Sequence, residues 1–359
     1  MRGTPEASAD AGTAGPEAAE PLAKAAWWRR GYLNGGAIAV LALAAILALN
    51  AGELPGLGRV LSDLPACVAV SAAVHLPQIA LTALGWRALL PRGLRPSFAA
   101  MAALRWFREA ANTLLPAGAL MGLAATARLL ARRGVPADTA GATATVDLTT
   151  EAVSQAVFTM LGVALLLAGS ADPALAGAAG AGLGLAALGA LALVLAQRRL
   201  GPLERLLERL SRRWPAIRPE WIRELQTSVL RLHTDRSALA ASLLWHGAAW
   251  ALGAVEVMAV LHLLGHPVSL ADALVIESLA QALRNAGFML PGALAVQEGA
   301  IVGAAALVGV PPGTALASAL VRRARELCFA LPGLLAWHRS ETRGMRAPSP
   351  RAVAAGGQE

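Results

Sequence analysis

The chain has 359 residues, 56% hydrophobic and 15% charged, with a mean hydropathy of +0.54. Soluble domains run near ~25% charged, so this composition indicates a polytopic membrane protein without a sizeable soluble domain. The net charge of +8 comes almost wholly from arginine, Lys24 being the only lysine. In a membrane chain such a balance points to cytoplasmic loops facing anionic lipid, and not to nucleic acid. Cys67 and Cys328 are isolated in apolar context, so neither a disulfide framework, a metal site nor a cofactor is expected.

Residues 1–26 are rich in Ala, Gly, Pro, Glu and Asp and read as a disordered cytoplasmic tail. Trp27, Trp28, Arg29 and Arg30 form an interfacial anchor at the start of a membrane domain spanning 27–338, and Leu33–Leu49 reads as the first crossing. Glu53 to Asp63 reads as a short outer loop and Leu64–Leu84 as the return. Arg87, Arg92 and Arg95, and later Arg128, Arg132 and Arg133, mark the cytoplasmic side by the positive-inside rule.

Between those two basic clusters lies the most informative stretch, Arg105 to Gly118. Arg105, Arg108, Glu109 and Asn112 recur at helical spacing and share one face, and the Leu-Leu-Pro116-Ala-Gly118 run then breaks the helix. Two full crossings need ~40 residues, more than this interval supplies, so a re-entrant hairpin entering from the cytoplasm is expected.

A crossing over 139–168 carries Asp147, Glu151 and Gln155 on one face, and 174–196 returns. The Arg-rich segment 198–236 reads as an amphipathic helix at the cytoplasmic interface or as a solvated connector. Residues 238–264 cross outward. A second interrupted segment follows, with Glu277, Gln281, Arg284 and Asn285 on one face, a break at Pro291-Gly292, and then Gln297 and Glu298. The last crossing, Gly313–Trp337, carries Arg322, Arg325 and Glu326, and 339–359 reads as a disordered cytoplasmic tail.

Sliding the chain along itself by 175 positions puts Pro116 on Pro291, Glu151 on Glu326, Asp147 on Arg322 and Glu109 on Arg284. Repeat units of about 64–168 and 238–337 follow, the second inverted relative to the first, as in many secondary transporters. The expected fold is therefore all-α: about six transmembrane crossings plus two re-entrant helical hairpins in an inverted repeat, with both termini cytoplasmic.

A charge at mid-bilayer costs ~2.5–3.5 kcal/mol on insertion scales, so the charged stripes must face one another or water. They read either as an ion-pair lattice that fixes packing or as a polar cavity for a charged or zwitterionic headgroup. The second reading makes substrate-binding candidates of Arg105, Arg108, Glu109, Asn112, Asp147, Glu151, Gln155, Glu277, Gln281, Arg284, Asn285, Gln297, Glu298, Arg322, Arg325 and Glu326. His75, His246, His262 and His266 lack metal-ligand spacing, and no nucleophile elbow, P-loop, zinc-protease or dinucleotide motif occurs. No enzymatic activity is expected.

The runs Arg108-Glu-Ala-Ala-Asn-Thr-Leu-Leu-Pro116, Pro291-Gly-Ala-Leu-Ala-Val-Gln-Glu-Gly299, Arg322-x-x-Arg-Glu326-Leu and Leu331-Pro-Gly333 carry a family likeness. Over about 64–337 the chain resembles the membrane part of lysylphosphatidylglycerol synthases and related flippase-like proteins, most of all the branch found with hopanoid biosynthesis. The resemblance implies lipid translocation in the cytoplasmic membrane, with a hopanoid or an aminoacylated phospholipid as cargo. It implies no aminoacyl transfer within these residues. The family tends to place paired glycines and an acidic residue after the first Leu-Pro, whereas this chain has Ala119-Leu-Met-Gly-Leu123. Two rivals stand beside a flippase: a lipid-modifying enzyme, and a scaffold binding lipid-biosynthesis enzymes through 198–236.

Overall fold

The structure, a computed structural model, describes residues 54–115, 118–169, 219–286 and 293–346, together with a few positions between 184 and 195. The expected crossings at 33–49 and 174–196, the first half of the amphipathic segment, and Pro116, Pro291 and Gly292 fall wholly or largely outside them. Among the described residues the regular structure is entirely helical. The helices are α1 (Leu54–Leu89), α2 (Phe98–Leu114), α3 (Gly118–Ala131), α4 (Ala137–Gly169), α5 (Pro219–Thr234), α6 (Arg236–Leu263), α7 (Leu270–Ala286), α8 (Ala293–Ala306) and α9 (Pro312–Arg346).

Among the described residues three stretches are long and apolar enough to cross a membrane: Asp63–Leu89, Ala137–Gly169 and Arg236–Leu263. Helix α9, at 35 residues, is long enough, but its cluster of charges lowers its apolarity. The outer surface of the bundle is apolar, with Leu76, Val157, Leu161, Leu244 and Leu335 exposed, while arginines, acids and histidines lie inside. That inversion of the soluble pattern is what a bilayer selects.

Local chemistry explains the boundaries. Ser97 caps α2 by accepting from Ala100 N at 3.3 Å, and Asp235 caps α6 by accepting from Ala238 N at 3.0 Å. Ser269 and Asp272 cap α7 reciprocally, Ser269 Oγ accepting from Asp272 N and Asp272 Oδ2 from Ser269 N. Helix α1 begins at Leu54, inside the stretch expected to be a loop, because Pro55 lies in the first turn, where its missing N–H costs nothing. Helix α9 continues to Arg346, eight residues into the expected tail. There Glu341 receives Arg128 at 2.5 Å, Arg132 at 2.8 Å and the Trp337 indole at 3.2 Å. Burial alone would raise the Glu341 carboxyl; these donors and charges outweigh it and hold the group below the ordinary range. The second half of the amphipathic segment forms α5, whose Val229 is buried against Ala142 and Val146 of α4.

Helices α2 and α3 are 17 and 14 residues long, as are α7 and α8. At 1.5 Å per residue they reach ~26 and ~21 Å, short of a ~30 Å hydrocarbon core. A shift of 175 positions carries the bounds of α3 onto those of α8 and the start of α4 onto the start of α9. It also carries Gly134-Val-Pro136 onto Gly309-Val-Pro311, an identity more direct than the shared Leu-Pro. Both glycines are left-handed, with φ 91° and 78°, and both valines are buried. The packing follows the same scheme. Helix α1 lies along α6; α2 packs on α1, α3 and α9, and α7 packs correspondingly on α6, α8 and α4.

Small residues permit the closest approaches. A Cβ on Gly118 would lie 2.0 Å from Ala111 O, and one on Gly162 would lie 1.7 Å from Ser278 Oγ. Gly162→Ala is therefore expected to cost ~1–3 kcal/mol by forcing α4 from α7. Adding Ser278→Gly, which removes the colliding atoms, should restore much of the melting temperature of the detergent-purified protein.

Candidate functional site

The charged stripes meet inside the bundle in two ion-pair groups. In the first, Arg105 and Arg108 project from α2, one turn apart, towards Asp147 and Glu151, one turn apart on α4. Arg105 Nη1 donates to Asp147 Oδ2 at 3.0 Å and its Nη2 to Glu151 Oε1 at 3.1 Å. Arg108 Nη1 donates to the same Asp147 oxygen at 2.8 Å and its Nη2 reaches Glu151 Oε2 at 3.3 Å. Helix α6 adds His246, with Nε2 2.9 Å from Asp147 Oδ1, and Ser242, 2.8 Å from the Thr150 hydroxyl. The Asp147 side chain is wholly enclosed, whereas that of Glu151 is 24% exposed.

The second group uses the opposite signs. Glu277 of α7 pairs with Arg322 of α9 and also accepts from Gln281 at 2.9 Å. Arg323 donates to Glu298 of α8 at 2.6 Å and to Glu326 at 3.0 Å, and Gln297 donates to Glu326 at 2.9 Å. Arg284, near the end of α7, lies 3.5 Å from Glu326. So the first hairpin carries arginines towards acids on the helix that follows it, while the second carries the acids Glu277 and Glu298 towards arginines and keeps one pair, Arg284 with Glu326, in the first hairpin's polarity.

Between the groups runs a bridge with partners on four helices. Glu256 of α6 accepts from Ser71 Oγ at 2.6 Å and from Gln78 Nε2 at 3.2 Å, both on α1. Arg325 of α9 approaches Glu256 with Nε at 3.2 Å. Gln78 Oε1 meets His75 Nδ1 at 2.8 Å, and His75 Nε2 meets Glu109 of α2 at 2.7 Å.

The expected one-sided stripe on α2 thus divides. Arg105 and Arg108 face α4, Glu109 faces α1, and Asn112 is exposed. Gln155 is buried on α4, and Asn285 lies in the last turn of α7. Gly118 begins α3, pressed against α2. His75, Gln78, His246, Glu256 and Arg323 also belong to the lattice, although none stands among the expected binding residues. His246 and Glu256 stand ten positions apart on α6 and differ by about 80° around the helix, so no stripe announces them. The available signal was a lone acid and a lone imidazole in apolar runs, each of which needs a buried partner.

A pocket lined by Glu256, Val257, Val260, Ser318 and Arg322 has a volume of ≈ 10 Å³, about the least that holds one water. No group of three or more metal-ligating side chains occurs among the described residues. Arg325 Nη1 is buried without a hydrogen-bond partner, as is His246 Nδ1.

A family model described as Lysylphosphatidylglycerol synthase TM region matches residues 34–333, most of the chain, which therefore belongs to that family. No curated protein and no solved structure matches it.

Removing one partner of a buried pair leaves an uncompensated charge and costs ~3–5 kcal/mol, while an apolar pair in its place can be neutral. Glu277→Leu is therefore expected to lower thermal stability sharply. Glu277→Leu combined with Arg322→Leu should recover most of it, read from melting curves of the purified protein.

Proposed function

We propose, from the premise that the chain belongs to the lysylphosphatidylglycerol synthase TM region family, that it moves a polar lipid between the leaflets of the cytoplasmic membrane. The observation that carries this reading is the pair of broken-helix units, 175 positions apart, each joined by buried ion pairs to the long helix that follows it. Matching helix bounds, the repeated Gly-Val-Pro turn and the paired packing scheme support two repeat units of opposite orientation. Such units, meeting near the midplane, form the substrate path of many secondary transporters. In this topology six crossings and two re-entrant hairpins leave both termini in the cytoplasm.

The headgroup meets the lattice where its charges reach the surface. Glu151 is 24% exposed, Glu109 34% and Arg284 36%, while their partners are buried. A zwitterionic headgroup offers one charge of each sign and so can replace one protein partner at a time, which avoids stranding a bare charge in the bundle. The acyl or polycyclic tails stay outside, against the exposed leucines. The family resemblance makes a hopanoid or an aminoacylated phospholipid the cargo. Asp147, Glu151 and Glu326 recognise headgroup charge.

The test is lipid analysis of a deletion strain, recording total species and their leaflet distribution by impermeant labelling. Flipping predicts unchanged totals with one lipid trapped in the inner leaflet. Loss of a species with accumulation of its precursor would overturn the reading in favour of a lipid-modifying enzyme, and no change in either would favour a scaffold. In the same strain Glu151→Gln is expected to abolish outward labelling of that lipid at normal protein level; unaltered labelling would remove Glu151 from the path.

A further inference from the structure

The first hairpin ends in an arrangement that the charged interior does not use. Helix α3 turns one stripe outward, Leu120, Ala124, Arg128 and Arg132, each four residues on from the last and each exposed. The first half of the stripe is apolar. The second half is two guanidinium groups one turn apart, their side chains 58% and 38% exposed. Along a single helix face, apolar surface thus passes directly into positive charge, complementary to a bilayer that passes from acyl chains to anionic headgroups.

Glu341 of α9 holds both guanidinium groups in place. Its Oε1 accepts from Arg128 Nη2 at 2.5 Å and its Oε2 from Arg132 Nη1 at 2.8 Å, while the Trp337 indole donates to the same Oε1 at 3.2 Å. The carboxylate is more enclosed than the arginines it binds. A guanidinium carries five N–H donors. Each of these two uses one terminal nitrogen on Glu341, and among the described residues the rest of each fork donates to no protein group. The charge is unbalanced as well, two positive groups against one negative. Arg133, exposed at the same end, adds a third positive charge and donates to Leu129 O at 2.9 Å, closing α3. Among the described residues no acid other than Glu341 lies within ion-pair distance of Arg128 or Arg132. Trp337 marks the depth. Its ring packs against the apolar core while its N–H meets a carboxylate, the division that places indoles where hydrocarbon gives way to headgroups.

We infer that Arg128 and Arg132 bind the phosphodiester of an anionic phospholipid, with an acyl chain lying along Ala124 and Leu120. The site depends on this end of α3 lying at a bilayer surface, and it stands whether or not the chain moves lipid. Phosphate chemistry suits the open forks: its free oxygens accept paired N–H bonds from a planar guanidinium, which an ammonium group does not offer. One phosphodiester charge, added to that of Glu341, balances the two arginines. Glu341 therefore remains in place on binding, and because it already orients both side chains, little of their freedom is lost when the lipid arrives. The shift of 175 positions carries Arg128 onto Gly303 and Arg132 onto Leu307, both exposed. The second hairpin thus presents an uncharged stripe, and the site exists on the first alone.

Native mass spectrometry of the detergent-purified full-length protein reads the site, with dimyristoylphosphatidylglycerol and zwitterionic dimyristoylphosphatidylcholine added at equal concentration. Wild type is expected to retain one molecule of the anionic lipid in preference to the zwitterionic one; no preference would overturn the site. Arg128→Gln/Arg132→Gln should weaken that retention about tenfold, the scale of two basic residues at an anionic surface. The comparison variant Arg92→Gln/Arg231→Gln removes two other exposed arginines and should retain the lipid as wild type does. An equal loss in both variants would reduce the effect to net charge and sink the proposal. Glycerophosphoglycerol, the same headgroup without its chains, should displace the lipid from wild type only at far higher concentration. Displacement at equal concentration would mean that the apolar stripe plays no part and that the ligand is a soluble phosphodiester, which overturns the lipid site. The lipid preference and the displacement are both measured on unaltered protein, and they decide the matter should the Arg128/Arg132 variant fail to fold.

Discussion

Charge removed from water must find opposite charge, and the interior of this bundle is organised by that requirement. Its arginines and acids lie between helices whose outer faces are leucine and valine. Coulomb attraction strengthens as the surroundings become less polar, but so does the penalty for an unmatched partner. The result is a strict geometry. Helix α2 has one rotation that sends Arg105 and Arg108 to Asp147 and Glu151 while sending Glu109 to His75. Close packing at Gly118, Gly162 and Gly333 then draws the backbones near enough for those side chains to meet.

Much of this was legible in the sequence because periodicity survives translation into structure. The i, i+3, i+4 spacing of Arg105, Arg108 and Glu109, and the i, i+4 spacing of Asp147 and Glu151, marked helix faces that the lattice uses. The break near Leu115 was legible because proline cannot continue a helix without a lost donor. The ends of α1 and α9 were misjudged, since a first-turn proline and a carboxylate clasped by two arginines extend helices beyond what local polarity suggests.

What could not be read was pairing. A stripe shows which way a residue points on its own helix but not which helix stands opposite. Glu256 stands alone as an acid in an apolar run, yet it is where Ser71, Gln78 and Arg325 converge. His75 and His246 lack metal-binding spacing, and their partners are single carboxylates 34 and 99 positions away. Long-range contacts of this kind leave no local period. The repeated Gly-Val-Pro turn is present in the letters, but turn residues carry no hydrophobic signal.

The reversal of sign between the two hairpins bears on how the chain is made. Arg105 and Arg108 find Asp147 and Glu151 within the first half, and Glu277 finds Arg322 within the second. Each hairpin can therefore be neutralised by the helix synthesised just after it, before the rest of the protein exists. Backbone packing crosses the halves, α2 lying on α9 and α7 on α4, so it is the ion pairs that tie each hairpin to its own half. Charge is thus balanced within each half, in the order in which the ribosome makes them.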